Sequence, residues 1–284
     1  MTDAYQRLRK SDLATLRAEI RAGRYRSHTA GLGAGYLQTN IAILPESHAL
    51  DFMRFCQRNP KPCPLVGVSD TGNPMMTTLG AEIDIRTDVP AYNIYRDGKL
   101  AGSAADISDL WTEDMVAFAL GCSFTFEDAL MQAGVPLWHI ENDTTVPMFR
   151  SSIDTVPAGP FSGKMVVSLR FVEPGMVETA TAISRRFPLA HGAPVHAGDP
   201  AAIGIADVTK PDWGDPVPVP EGQVPVFWAC GVTPQVAIEA ARVPLCITHK
   251  PGHMLVTDIP EDAEVPICAS ANNNDIKNQQ GEPA

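Results

Sequence analysis

Four of the seven histidines lie in two short stretches. His191 and His196 stand in "FPLAHGAPVHAGDPAAIGIAD", with Asp199 just behind; His249 and His253 flank the Pro-Gly turn of "ITHKPGHMLVTD", with Asp258 close after. Imidazoles change charge near neutral pH, so such residues suit general acid–base work, and neutral rings also ligate metals. The HxxxxH and HxxxH spacings supply only two ligands each, no HExxH is present, and no CxxC accompanies them, whereas zinc takes three or four convergent ligands. Acid–base chemistry, a divalent metal and plain loop-stapling histidines all stay open at this point. A third stretch, "FWACGVTPQ", reads as buried strand, tight turn and helix start, with Thr233 as cap and Pro234 at the first helical position. Backbone N–H groups of Gly231, Val232 and Thr233 could cradle an anion there, and Cys230 could be an activated thiol or a small buried hydrophobe. Arg86 in "RTD" and Arg150 in "VPMFR" could each clamp a carboxylate in bidentate fashion or serve as surface ion-pair residues. In "GCSFTFE", Cys122 reads as buried and Glu127 as a first-turn helix acid.

Totals restrict the class of protein that carries these groups. The chain has 284 residues, 44% hydrophobic and 19% charged, which describes a globular protein of one large or two moderate domains. Its net charge of -11 and lack of a Lys/Arg cluster argue against a nucleic-acid partner. No apolar run approaches the ~20 residues that span a bilayer, so no membrane partner is expected. Six cysteines without a CxxC pair, behind an N-terminus with no signal-peptide character, read as free thiols in a reducing compartment, and the cytoplasm is the expected location. The alternating Gly31, Gly33 and Gly35 follow no strand and precede no Walker lysine, so no nucleotide cofactor is expected; a backbone bending closely around something is the better reading.

The elements that must position the chemistry follow from periodicity and punctuation. Helices are expected over 12–22, capped by Ser11, from Pro45 to about 59, over 112–120, over 125–134 with Thr125 and Asp128 as capping box, from Pro174 to about 186, and from Thr233. Strands are expected over 81–88, 164–171, 224–230, 245–249 and 254–259, with a hairpin turning at Asp97-Gly98. The mixture implies a mixed α/β fold: a larger, sandwich-like α/β domain (1–114 and 191–260), a smaller inserted α+β domain (115–190), and a polar tail (261–284) expected to be disordered.

Six long stretches occur together in one order: "HTAGLGAGYLQTNIAILP", "DFMRFCQRNPKPCPL", "LGCSFTFEDAL", "RFPLAHGAPVHAGDPAAIGIAD", "VPVFWACGVTPQ" and "ITHKPGHMLVTD". With them the chain resembles the D-glutamate cyclase family, catalogued as hydro-lyase proteins. The resemblance implies a two-domain α/β fold and a lyase that removes water, with conversion of D-glutamate to 5-oxo-D-proline as the best-described activity. For that reaction the residues suggest His191 or His249 as the base for the amine and His196 or His253 as the acid for the departing oxygen. Gly231 to Thr233 would hold an oxyanion, Arg150 or Arg86 the α-carboxylate, and Asp199 and Asp258 would orient imidazoles. The expected partner is a small-molecule carboxylate, with self-association left open. A metal-dependent hydrolase on the same histidines and a non-catalytic carboxylate-binding protein are the alternatives. All three readings require the histidine loops to close over the Cys-Gly turn as one pocket.

Overall fold

The computed structural model describes residues 3–263, so the tail beyond them, with Cys268, lies outside the described residues. In chain order the elements are α1 (Asp3–Leu8), α2 (Leu13–Arg21), β1 (Tyr36–Pro45), α3 (Glu46–Arg58), β2 (Leu65–Val68), β3 (Tyr92–Arg96) and β4 (Lys99–Ala104). Next come β5 (Met115–Gly121), α4 (Glu127–Gln132), α5 (Trp138–Glu141), β6 (Met148–Asp154), β7 (Lys164–Val172), α6 (Val177–Arg185) and β8 (His196–Ala197). The last are β9 (Val224–Ala229), α7 (Thr233–Ala241), β10 (Leu245–His249) and β11 (Leu255–Pro260). Two sheets result, so the class is mixed α/β as the sequence implies.

The first sheet runs β2-β5-β1-β10-β3-β4, and β11 shares an edge of β1 with β10. The ten-residue length of β1 makes that sharing feasible: its first half pairs β11 (Thr39 with Leu255) and its second half pairs β10 (Ile43 with Ile247). The second sheet runs β6-β7-β9-β8. Every described pairing is antiparallel, so the carboxyl-end rule of parallel sheets lends no support to the Cys-Gly turn. Sheet membership divides at other positions than 115 and 190. Residues 115–121 belong to the first sheet, while the strands of the second are drawn from residues 148–229.

Both faces of the first sheet are covered. Ala42, Leu44, Phe118 and Cys246 pack against Phe52 and Phe55 of α3 and Ile238 of α7. On the other face Ile41, Ile43, Ala117 and Ile247 meet Leu79, Ile83, Ile85 and Val89. That second cover explains two departures from expectation. Residues 112–120 form no helix: "MVAFALG" is buried along its whole length as a strand between β1 and β2, and a short continuous apolar run looks alike in either state. Residues 81–88 form no strand. Ile83 and Ile85 alternate because they drop onto the sheet, while the backbone makes only one isolated bridge, Met75 with Asp84. Smaller differences concern caps. Asp12, not Ser11, caps α2 by accepting from the Thr15 N–H, and Val232, not Thr233, is the cap residue of α7. Among the described residues no helix is long and apolar enough to cross a membrane.

Candidate active site at the junction of the two sheets

The end of β5 and the end of β9 meet at one side chain of β1. Asn40 Nδ2 donates to the carbonyl of Gly121 at 2.8 Å, and a Cβ on Gly231 would stand 2.0 Å from the same nitrogen. A Cβ on Gly121 would fall 1.5 Å from the Leu189 carbonyl oxygen. Only glycine fits at 121 and 231, and their absence of side chains lets β1, the 188–190 turn and the start of α7 close on one another. Cys122 and Cys230, next to these glycines, are brought near enough that ionising Cys230 would push the Cys122 thiol up.

Neither thiol is activated in this structure. Burial pushes both up, Cys230 to about 11, against the N–H of Val232 and the positive charge of Arg170. The expectation of a helix-lowered thiol therefore fails because desolvation outweighs the local donors. The expected anion cradle is also occupied from within. The Thr233 N–H donates to the Cys230 carbonyl at 3.0 Å, the Val232 N–H is turned to the Cys230 thiol, and Gly231 is packed on Asn40.

The strongest concentration of charge lies beside this junction and escaped the sequence reading. Glu127 opens α4, Arg170 stands on β7, and His139 is in α5; all three are buried. Glu127 Oε1 accepts from His139 Nε2 (2.8 Å) and from Arg170 Nε (3.1 Å) and Nη2. Arg170 also donates to Ser123 and Ser168 and lies over the rings of Phe126 and Trp228. Burial alone would push the Glu127 carboxyl up, but the charges and hydrogen bonds of His139 and Arg170 prevail and hold it below the usual range, so it is ionised. Its Oε2 is buried and has no partner.

Glu127 also lines a cavity of about 190 Å³ with Arg9, Thr125, Asp128 and the loop Gly31 to Ala34. The loop is tied to the junction through Gln38, whose Nε2 donates to the carbonyls of Leu32 and Thr29 while its own N–H donates to Thr125 Oγ1. Thr125 is thus a bridge between β1 and the β5–α4 turn rather than a capping-box residue. Arg9 lies over the Tyr5 ring, and among the described residues no carboxylate pairs with it. Arg9 and Glu127 on the wall of one small polar cavity suit a ligand carrying both charges.

The histidines divide. His191, in left-handed backbone after the 188–190 turn, donates from Nδ1 to the Lys61 carbonyl at 2.8 Å, and its Nε2 is buried without a partner. His249 Nδ1 is 3.1 Å from the Ile41 amide nitrogen, its carbonyl accepts from Gln235 of α7, and its Nε2 is likewise unpartnered. Burial pushes both rings down to about 4, so they are neutral. These two flank the junction. His253 closes its own turn, donating to the Pro251 carbonyl. His196 leaves the group: its ring lies against Phe227 on the other face of the second sheet and donates to the Asp199 carbonyl.

The remaining expectations are placed elsewhere. The Asp199 carboxylate orients no imidazole; it accepts from the Ala201 N–H and caps the 200–203 turn. Asp258 is paired with Arg17 at 2.7 Å. Arg86 is held by Asp84, and Arg150 by Glu239 and the Trp213 ring, so both are surface ion-pair residues. Among the described residues no three His, Cys, Asp or Glu side chains converge as a metal donor set.

Two antiparallel sheets joined over buried carboxylate, guanidinium and imidazole groups beside a small polar cavity define a mixed α/β protein with a candidate site at that junction. The D-glutamate cyclase family profile matches residues 116–258, which include Glu127, His139, Arg170 and both thiols of the junction. A protein of Dinoroseobacter shibae named "Putative hydro-lyase" is 73% identical over 98% of this chain and 93% of its own length. Similarly named proteins of Ruegeria pomeroyi (71% identical, 96% of this chain and 99% of the relative) and a Jannaschia species (63%, 92% and 98%) also match. The chain belongs to the D-glutamate cyclase family.

Proposed function

We propose that the chain is a hydro-lyase that closes D-glutamate to 5-oxo-D-proline in the cavity shared by Arg9 and Glu127. In this reaction the α-nitrogen attacks the γ-carboxyl carbon, the N–C bond forms, and one C–O bond breaks to release water. The ammonium loses two protons and the departing oxygen gains two, so none is exchanged with solvent overall. Arg9 holds a substrate carboxylate. Glu127 Oε2 accepts the ammonium, takes a proton from it as nitrogen attacks, and returns that proton to the leaving oxygen, a role worth on the order of 10²–10⁴ in rate. Holding the folded conformer of a single molecule supplies much of the remaining advantage.

The observation that carries this reading is the unpartnered, buried Oε2 of an ionised Glu127, a residue that lines one cavity with Arg9, for which the described residues supply no carboxylate partner. Family membership supports the choice of glutamate. The test follows D- and L-glutamate with the purified protein by NMR, with and without added Mg²⁺ or Mn²⁺. Appearance of 5-oxoproline from the D isomer is expected; none from either isomer would overturn the proposal.

A further inference from the structure

A groove of about 590 Å³ lies between α4 and α6, and the mechanism above makes no use of it. Ala129 and Ala133, in and just after α4, line one side; Ile183 of α6 and Phe187, just after that helix, line the other. The volume is within the roughly 300–1,000 Å³ of small-molecule sites. Its polar lining is Gln132, Arg186, Glu261 and Asp262, with Gly35 beside them.

Only one of these polar side chains is engaged by another: the Gln132 amide donates to Asp128 at 2.5 Å. Among the described residues no carboxylate pairs with Arg186, and no cation pairs with Glu261 or Asp262. Glu261 is tied to Gly35, its N–H donating to the Gly35 carbonyl at 3.0 Å. Burial and the neighbouring carboxylates of Asp128 and Asp262 push the Glu261 carboxyl up, against a hydrogen bond from Gly35. Acid groups thus outnumber the one guanidinium. An ammonium placed among them relieves their crowding, and a single carboxylate satisfies Arg186.

The geometry points to a second small-molecule site that takes an α-amino acid with a large apolar side chain. Arg186 holds its carboxylate, Glu261 and Asp262 hold its ammonium, and the two alanines, Ile183 and Phe187 cover its side chain. The excess of acid disfavours a second carboxylate, so the ligand differs in class from glutamate. The two sites are neighbours, because Gly31 to Ala34 line the reaction cavity and Gly35 of the same loop lines the groove. The inference does not depend on the proposed reaction.

L- and D-phenylalanine are titrated into the full 284-residue chain and followed by ligand-observed NMR. Phenylalaninol, which lacks the carboxylate, and 3-phenylpropionate, which lacks the ammonium, are the controls. At least one isomer of phenylalanine is expected to bind about fivefold or more tightly than either control, the scale of one charge-assisted contact. Arg186→Gln and the groove-filling Ala133→Phe, both at exposed positions, are expected to weaken that binding about fivefold or more with unchanged circular dichroism. Arg9→Gln, in the reaction cavity, is expected to leave it unchanged. Equal binding of either control, affinity undiminished in R186Q or in A133F, loss of binding in R9Q, or no binding of either isomer at millimolar concentration would each overturn the assignment.

Discussion

The 187–207 segment and the Glu127–His139–Arg170 trio hold polar groups in opposite ways. In the segment His191, His196 and Asp199 each bond to backbone groups. His196 donates to the Asp199 carbonyl, Asp199 caps the next turn, and Lys61 reaches in to bond the carbonyls of His191 and Ala193. In the trio, three charged or chargeable groups from α4, α5 and β7 satisfy one another away from water, and one oxygen is left over. Within the segment only His191 resembles the trio, being buried with a free ring nitrogen. Crowding of reactive residue types along the chain is thus a poor guide to chemistry; convergence with an unmatched polar atom is a better one.

Removing the positive partner should break the contrast most strongly. Arg170→Met leaves the Glu127 charge buried with His139 alone, and a loss of about 3–5 kcal/mol is expected from urea midpoints. A loss below 1 kcal/mol would mean that Glu127 is already neutral or hydrated. Glu127→Gln keeps the shape and should retain the fold by circular dichroism, while 5-oxoproline formation from D-glutamate falls on the order of 10²–10⁴. Turnover within threefold of the parent would remove Glu127 from the mechanism.

The third prediction uses pH. His191 and His249 sit near 4 in the fold against about 6.5 unfolded, so the unfolded chain binds their protons first as pH falls. Their neutral, folded-state advantage is complete above pH 6.5 and is lost as pH drops toward 4, by about 1.4 kcal/mol per pH unit for each ring. Chemical denaturation at pH 7, 6 and 5 checks this, and a flat profile would show that the rings are hydrated. The smallest effect should come from the segment: His196→Ala removes one half-buried hydrogen bond, for about 1 kcal/mol or less, with unchanged turnover. A large loss of activity there would return His196 to the site and weaken the distinction drawn between the two regions.

Several elements were legible locally. The alternation of 164–171 and the Thr-Pro start at 233 each correspond to an observed element, as does the Asp97-Gly98 hairpin, whose two residues take the positive φ the turn needs. The site was less legible. Arg170 lies on the face of β7 that alternation marks as polar, yet that face, shared with Val166, is interior, because Trp228 and the α4–α5 region pack with it. Glu127 looked like an ordinary first-turn acid because its partners are 12 and 43 residues away. The nearest sequence signal was the pair of serines, Ser123 in "GCSFTFE" and Ser168 in "VSLR", which prove to share Arg170.

By itself the sequence determined the class of fold, most of the second half's elements and the family, because turn residues, caps and long distinctive stretches act over a few neighbours. Only the tertiary structure decided which charges meet. Burial and antiparallel pairing bring residues from distant segments together, and the cost of an unpaired charge inside, rather than the spacing of histidines along the chain, selects Glu127, His139 and Arg170 as the group that remains poised.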